Sequence, residues 1–270
     1  MEASMHIAPG VEMLELKAEL MDGPSTFYPT LLWDQQDVVL VDAGFPGMAS
    51  LIRGAIEQAR VPFEKITRII ITHHDLDHIG SLGDLQRELP HPVQVLSHAM
   101  EVPYIQGELI PIKMTPAMRK QMEEQMKSVS EERRQAMQSM MDAMKNQKLK
   151  VDRTISDGEV LPYCGGIQII HTPGHTPGHI CLFHITSKTM IAGDALFVEN
   201  GKLEPAPSFI NADMRMAIES LKKLAGCDIT SIIAYHGGLY RDYPNQRLVQ
   251  ILHENGASAV GRQLKTEEKR

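Results

Sequence analysis

Positive charge is scarce in this chain. Of 270 residues, 27 are Lys or Arg against 34 Asp or Glu, a formal net charge of −7. With no basic stripe to meet a phosphate backbone, nucleic acid is a poor partner. Cysteine is scarcer still: Cys164, Cys181 and Cys227 form no close pair and no Cys-x-x-Cys. An odd, scattered set argues against a disulfide framework, so these read as buried thiols in a reducing compartment. No run approaches 18 apolar residues, and Met1–His6 has neither a basic segment nor an apolar stretch behind it. A membrane span and a secretory leader are therefore not expected, and a cytoplasmic location is. There is also no internal repeat and no linker, while 43% hydrophobic residues suffice for a core. The expectation is one domain over residues 1–270.

Against these absences stands one dense polar run, Thr72-His73-His74-Asp75-Leu76-Asp77-His78, placed directly after the apolar stretch Arg68–Ile71. On an extended or looping backbone, residues 73, 75 and 77 project to one side. Imidazoles and carboxylates can then converge on a cation without a helix.

Three more ligand-rich points follow, each at the end of an apolar run. The first is His171-Thr172-Pro173-Gly174-His175-Thr176-Pro177-Gly178-His179, where two Pro-Gly pairs oppose a helix and predict a rigid loop. The second is Asp194 after Met190–Gly193, and the third is His236 after Ile232–Tyr235. Ligands at strand ends mark one rim of a sheet, with the site in a cleft between two sheets.

In order and spacing these motifs, beginning with Asp42 in Val38–Gly44, resemble the metallo-β-lactamase superfamily. The resemblance implies an α/β fold, a four-layer αβ/βα sandwich, and a metal-dependent hydrolase. It assigns His73, Asp75 and His175 to a first metal, Asp77, His78 and His236 to a second, and Asp194 to a bridge between them. Asp42 corresponds to a supporting carboxylate behind the ligands. Asp77 and Asp194 would also serve catalysis, Asp77 orienting a metal-bound hydroxide and Asp194 fixing the cations. The family usually has His where this chain has Asp75, giving a variant His-x-Asp-x-Asp-His motif. A hard oxygen donor there shifts preference toward manganese or iron, although zinc remains the first choice for the two divalent ions. Neighbouring His74 is a candidate substitute ligand or a support behind the ligands.

Strands are predicted near 11–16, 26–33, 37–41, 68–72, 93–97, 167–171, 179–184, 189–192 and 231–235, and helices near 47–60, 80–89, 212–225 and 244–254. Residues 105–150 differ in character. Met114, Met118, Met122, Met126, Met137, Met140, Met141 and Met144 crowd a charged, helix-favouring stretch, with Thr115-Pro116 and Ser128–Glu131 as helix starts. Two inserted helices are expected, packed on the body or serving as a lid or homodimer surface for an apolar substrate. Of the other histidines, His171 and His179 read as structural or as supports behind the ligands, His98 as a candidate substrate contact, and His6, His91, His184 and His253 as surface or packing residues.

The substrate is expected to be a small molecule with an ester, thioester or lactone-type bond. Lactonases of the resembled family carry a Tyr three residues after the bridging Asp; this chain has Phe197, which cannot donate a hydrogen bond. The competing readings are a di-iron redox protein of the flavodiiron type, which would need a flavin partner, and a non-catalytic ligand-binding relative.

Overall fold

The computed structural model describes residues 3–20, 23–114 and 149–256, with isolated positions between 120 and 135. The expected helix starts at Thr115-Pro116 and Ser128, and the methionines from Met118 to Met144, lie outside the described residues.

Nine strands come first: β1 (Ser4–Ala8), β2 (Val11–Leu14), β3 (Leu16–Leu20), β4 (Gly23–Phe27), β5 (Thr30–Trp33), β6 (Val38–Val41), β7 (Arg68–Ile71), β8 (Gln94–His98) and β9 (Arg153–Ile155). All but β3 and β4 form one sheet in the order β1-β2-β5-β6-β7-β8-β9. It is antiparallel through β6 and parallel from β6 to β9. A second sheet follows in the order β10-β11-β12-β13-β16-β17. Its strands are β10 (Val160–Leu161), β11 (Ile167–His171), β12 (Ile180–His184), β13 (Thr189–Ile191), β16 (Ser231–Ala234) and β17 (Gly238–Tyr240). Two hairpins stand apart, β3 with β4 and β14 (Leu196–Glu199) with β15 (Lys202–Pro205). Among the described residues the α-helices with defined bounds are α1 (Ala49–Gln58), α2 (Leu76–Ile79), α3 (Leu82–Glu88), α4 (Val102–Ile105), α5 (Met214–Ala225) and α6 (Pro244–Glu254).

The layers follow from alternation along the strands. In β7, Ile69 and Ile71 turn outward onto Ile52 and Ile56 of α1 and Leu82 and Leu85 of α3. Ile70 between them turns inward and joins Val39 and Val41 of β6 in a layer shared with Ile169 of β11 and Ile180 and Leu182 of β12. The other face of the second sheet, Ile170, Cys181, Phe183 and Ile232, packs on Ile218 and Leu221 of α5 and Leu248 and Ile251 of α6. Helix, sheet, sheet and helix thus stack as the expected α/β sandwich. Both sheets are apolar on both faces, which is why Ile69–Ile71 and Ile232–Ala234 read as unbroken apolar runs.

The predicted strand near 26–33 is broken: Tyr28 and Pro29 separate β4 from β5, and the amide of Leu14 donates to the Pro29 carbonyl at 2.8 Å. Strands β1, β9, β10, β14, β15 and β17 are too short or too polar to have been read from periodicity. Among the described residues, no helix is long and apolar enough to cross a membrane. Cys164 and Cys181 are buried as expected, whereas Cys227 is partly exposed.

The central layer should carry much of the stability. Leu182 has no exposed surface, so Leu182→Ala should lower the unfolding free energy by about 2–5 kcal/mol in a denaturant titration. Leu51, on the outer face of α1 and 44% exposed, should change it by no more than about 0.5 kcal/mol when replaced by Ala.

Candidate metal centre

The first sheet delivers its polar groups where β6, β7 and β8 end. Asp42, just past β6, has a left-handed backbone (φ 65°) and a buried carboxylate. That carboxylate accepts from the Thr72 amide at 2.8 Å, from the Thr72 hydroxyl at 2.9 and 3.0 Å, and from His78 Nδ1 at 2.9 Å. With its Nδ1 proton committed to Asp42, His78 turns an Nε2 lone pair toward the cleft. His73 is set in the same way, its Nδ1 lying 3.0 Å from the Thr72 hydroxyl.

The polar run is not wholly extended, contrary to the sequence expectation. Leu76–Ile79 forms the single turn α2, so Asp77 and His78 project from a helix and Asp75 occupies its N-cap. Asp is a favoured N-cap, yet the Asp75 side chain makes no capping bond. Its Oδ2 lies 3.0 Å from His175 Nε2 and 3.3 Å from His73 Nε2, and pairs with Lys113 Nζ.

The second sheet supplies His175, Asp194 and His236 from the loops after β11, β13 and β16. Buried His179 fixes Asp194: its Nδ1 lies 2.8 Å from the Thr172 hydroxyl, and its Nε2 accepts from the Asp194 amide at 3.0 Å. Tyr235 packs its ring 3.8 Å from that of His78 and donates its hydroxyl to the Asp77 carbonyl. Phe27 and Phe197 flank His236, with ring centroids at 5.7 and 4.6 Å.

The result is three overlapping groups: His73, Asp75 and His175; His73, His78 and Asp194; and Asp77, His78 and His236. Within each, the ligand atoms lie no more than 4.8 Å apart. The structure therefore brings together every residue the sequence assigned to the two metals. Apart from His175 Nε2, 3.0 Å from Asp75 Oδ2, the inward-facing atoms of His73, His78 and Asp194 lie close together without hydrogen-bonding one another. His78 Nε2 is 3.2 Å from Asp194 Oδ1, yet both atoms, like His73 Nε2, are buried without a hydrogen-bond partner among the described residues. Lone pairs that face a shared centre rather than each other are what cation ligands require. His175 is the reverse: its Nε2 has partners in Asp75 and Lys113, and its outer nitrogen, Nδ1, is the one buried without a partner among the described residues.

Electrostatics follow from burial and from the carboxylates. Burial drives His73 well below the ordinary histidine range, with repulsion from His78 adding to it. His179 is lowered likewise by burial and by His175, consistent with its accepting role. Burial also pulls His78 down, but Asp42, Asp77 and Asp194 outweigh it and the net shift is upward. His236 is raised to about 9, Asp194 and Asp77 overcoming its desolvation. Burial opposes ionisation of Asp194, yet His236 and His78 hold it well below the carboxylate range. Protons shared across such a set are what a bound cation displaces.

Other candidates fall outside the cluster. His74 turns away from the ligand groups, pairs with Glu101 and stacks on Tyr104 at 4.3 Å. His98, expected near substrate, stacks on His171 at 4.2 Å, and His171 Nε2 lies 2.9 Å from the Pro177 carbonyl. His184 is buried, with Nδ1 2.6 Å from the Ser187 hydroxyl.

Sequence reasoning missed Glu101, Lys113 and Tyr235. Glu101 is fully buried just past β8. It accepts from the His74 amide at 2.9 Å, the Thr176 hydroxyl at 2.8 Å and the Gly178 amide at 2.6 Å, besides the His74 ring. One carboxylate thus ties the His73 loop to the His175 loop. Gly178 is required here, since a Cβ would lie 2.7 Å from Glu101 Oε1. The rule that flagged Asp194 and His236, a polar residue just past an apolar strand, would also have flagged Glu101.

A model of the metallo-beta-lactamase superfamily matches residues 28–236. YflN of Bacillus subtilis, a probable metallo-hydrolase, is 27% identical over 224 residues, covering 79% of this chain and 80% of that protein. A hydroxyacylglutathione hydrolase of Rhizobium etli is 40% identical over 77 residues, 28% of each chain. Among solved structures, a metallo-beta-lactamase family protein from Thermus thermophilus matches with a TM-score of 0.66 at 20% identity, over 93% of this chain and 81% of that one.

If Glu101 positions the ligand loops, Glu101→Gln, which keeps the volume but turns an NH2 toward buried donors, should weaken metal affinity by about 10- to 100-fold. Chelator competition would measure this, with circular dichroism confirming the fold. Unchanged affinity in a folded variant would reject the clamp.

Proposed function

The chain belongs to the metallo-β-lactamase superfamily, and from that premise we propose that it hydrolyses an ester, thioester or lactone-type bond of a small molecule. The reading is carried by the convergence of the three ligand groups around buried Asp194. The donors suit divalent ions, being imidazole nitrogens and carboxylate oxygens with no thiolate among them, and the lone pairs of His73 Nε2, His78 Nε2 and Asp194 Oδ1 are orphaned. His73, Asp75 and His175 would hold one ion, Asp77, His78 and His236 another, with Asp194 shared; zinc leads, and the Asp75 oxygen favours manganese or iron. Bound there, the ions would supply a Lewis acid for the substrate carbonyl and lower the pKa of water.

The chain's own side chains do the rest. Asp77, at the cleft mouth with 21% of its side chain exposed, orients the attacking water and takes its proton. Asp194 is held at the centre by His179 through its backbone amide. Asp42 and Thr72 fix His78 and His73 with their Nε2 lone pairs facing inward. Phe27 and Phe197 flank the His236 ring and give that side of the cleft an apolar wall. Phe197 has no hydroxyl to donate to an oxyanion, which counts against a tyrosine-assisted lactonase. The match to a hydroxyacylglutathione hydrolase supports the thioester arm.

A panel of ester, thioester, lactone, β-lactam and phosphodiester substrates tests the proposal. Dialysis against a chelator should remove activity, and divalent metal should restore it. His175→Ala and Asp194→Ala should each lower kcat/KM by about 1000-fold or more, the several kcal/mol that such a centre contributes. Activity indifferent to chelation and to both substitutions would sink the reading.

A further inference from the structure

Lys113 reaches the first ligand group from a turn after Pro111, the Met114 amide donating to the Pro111 carbonyl at 2.9 Å. Its Nζ lies 2.6 Å from His175 Nε2 and pairs with Asp75 Oδ2. Those two atoms, with His73 Nε2, make up the His73–Asp75–His175 group. An ammonium is a compact monovalent cation with donors but no acceptor, so against a histidine lone pair and a carboxylate it satisfies the same atoms a divalent ion would. Both cannot sit there, since like charges a few ångströms apart repel strongly in a partly buried cleft. The other group, Asp77, His78 and His236, is not among the contacts of Lys113.

Asp75 makes the arrangement intelligible. With His at that position, as in the resembled family, an adjacent ammonium would meet only neutral nitrogens; the carboxylate supplies the anion that holds it.

We propose that Lys113 is a built-in competitor for the first cation position, so that the two positions load at different metal concentrations: Asp77–His78–His236 first, and His73–Asp75–His175 only when the lysine swings out. This rests on the metal-dependent reading above. Lys113 itself is a positioning residue, setting occupancy rather than touching the reacting atoms.

Zinc titration of the full chain against a chromophoric chelator, with bound metal counted by mass spectrometry, tests this directly. The unaltered protein should bind in two separated steps. Lys113→Met should tighten the second step by about tenfold or more, leaving the first unchanged, and Lys113→Met in a His175→Ala background should show no tightening. Lys202, an exposed lysine on β15, supplies the charge control. Equal tightening by Lys202→Met, or identical isotherms for Lys113→Met and the unaltered chain, would overturn the inference while leaving the hydrolase reading intact. Failure of every variant and of the unaltered protein to bind zinc, manganese or iron would overturn both.

Discussion

The arrangement of the cleft depends on one buried anion. Asp42 sits in a left-handed backbone at the end of β6, and its carboxylate gathers the Thr72 amide, the Thr72 hydroxyl and His78 Nδ1. A carboxylate taken out of water is costly unless its lone pairs are filled, and these three donors fill them. In doing so they set the start of the polar run, choose the His78 tautomer, and leave the Thr72 hydroxyl placed to orient His73. The inward geometry of two histidines therefore follows from a residue in no ligand group.

The same device recurs on the other side. Glu101 gathers donors from both ligand loops, and His179 grips Asp194 by its backbone amide. Across the cleft, buried carboxylates and histidines offset one another's desolvation, which is why the shifts at His78, His236 and Asp194 all favour the charged form. Such a network has little tolerance for the loss of one member, because the partner left behind stays buried.

The sequence was informative wherever chemistry coincided with periodicity. Apolar runs announced β6, β7, β11, β12, β13 and β16, and polar residues just past four of them, β7, β11, β13 and β16, announced the cluster. Helices α1, α5 and α6 were read almost to their ends from amphipathic spacing. What stayed hidden lacked one of the two signals. Strand β1 and the β14–β15 hairpin are partly exposed and mixed in character. The turn α2 is shorter than any periodicity can register, and Lys113 lies in a stretch whose own composition pointed to methionine rather than to charge. Its significance emerges only when Asp75 and His175, 38 and 62 residues away, are folded against it.

The His175 loop is docked onto α5 along much of its length. The Asp213 amide donates to the Gly174 carbonyl at 2.8 Å, the Ala212 amide to the His175 carbonyl at 3.2 Å, and the Ser220 hydroxyl to the Pro173 carbonyl at 2.7 Å. Gly174, at φ 137°, lies so near the Ala217 backbone that a Cβ would be 2.2 Å from its nitrogen. An outer-layer helix and an inner ligand are thus mechanically one part. A shift of α5 on the second sheet would carry His175 with it, making the packing of Ile218 and Leu221 a remote determinant of the geometry at the cleft.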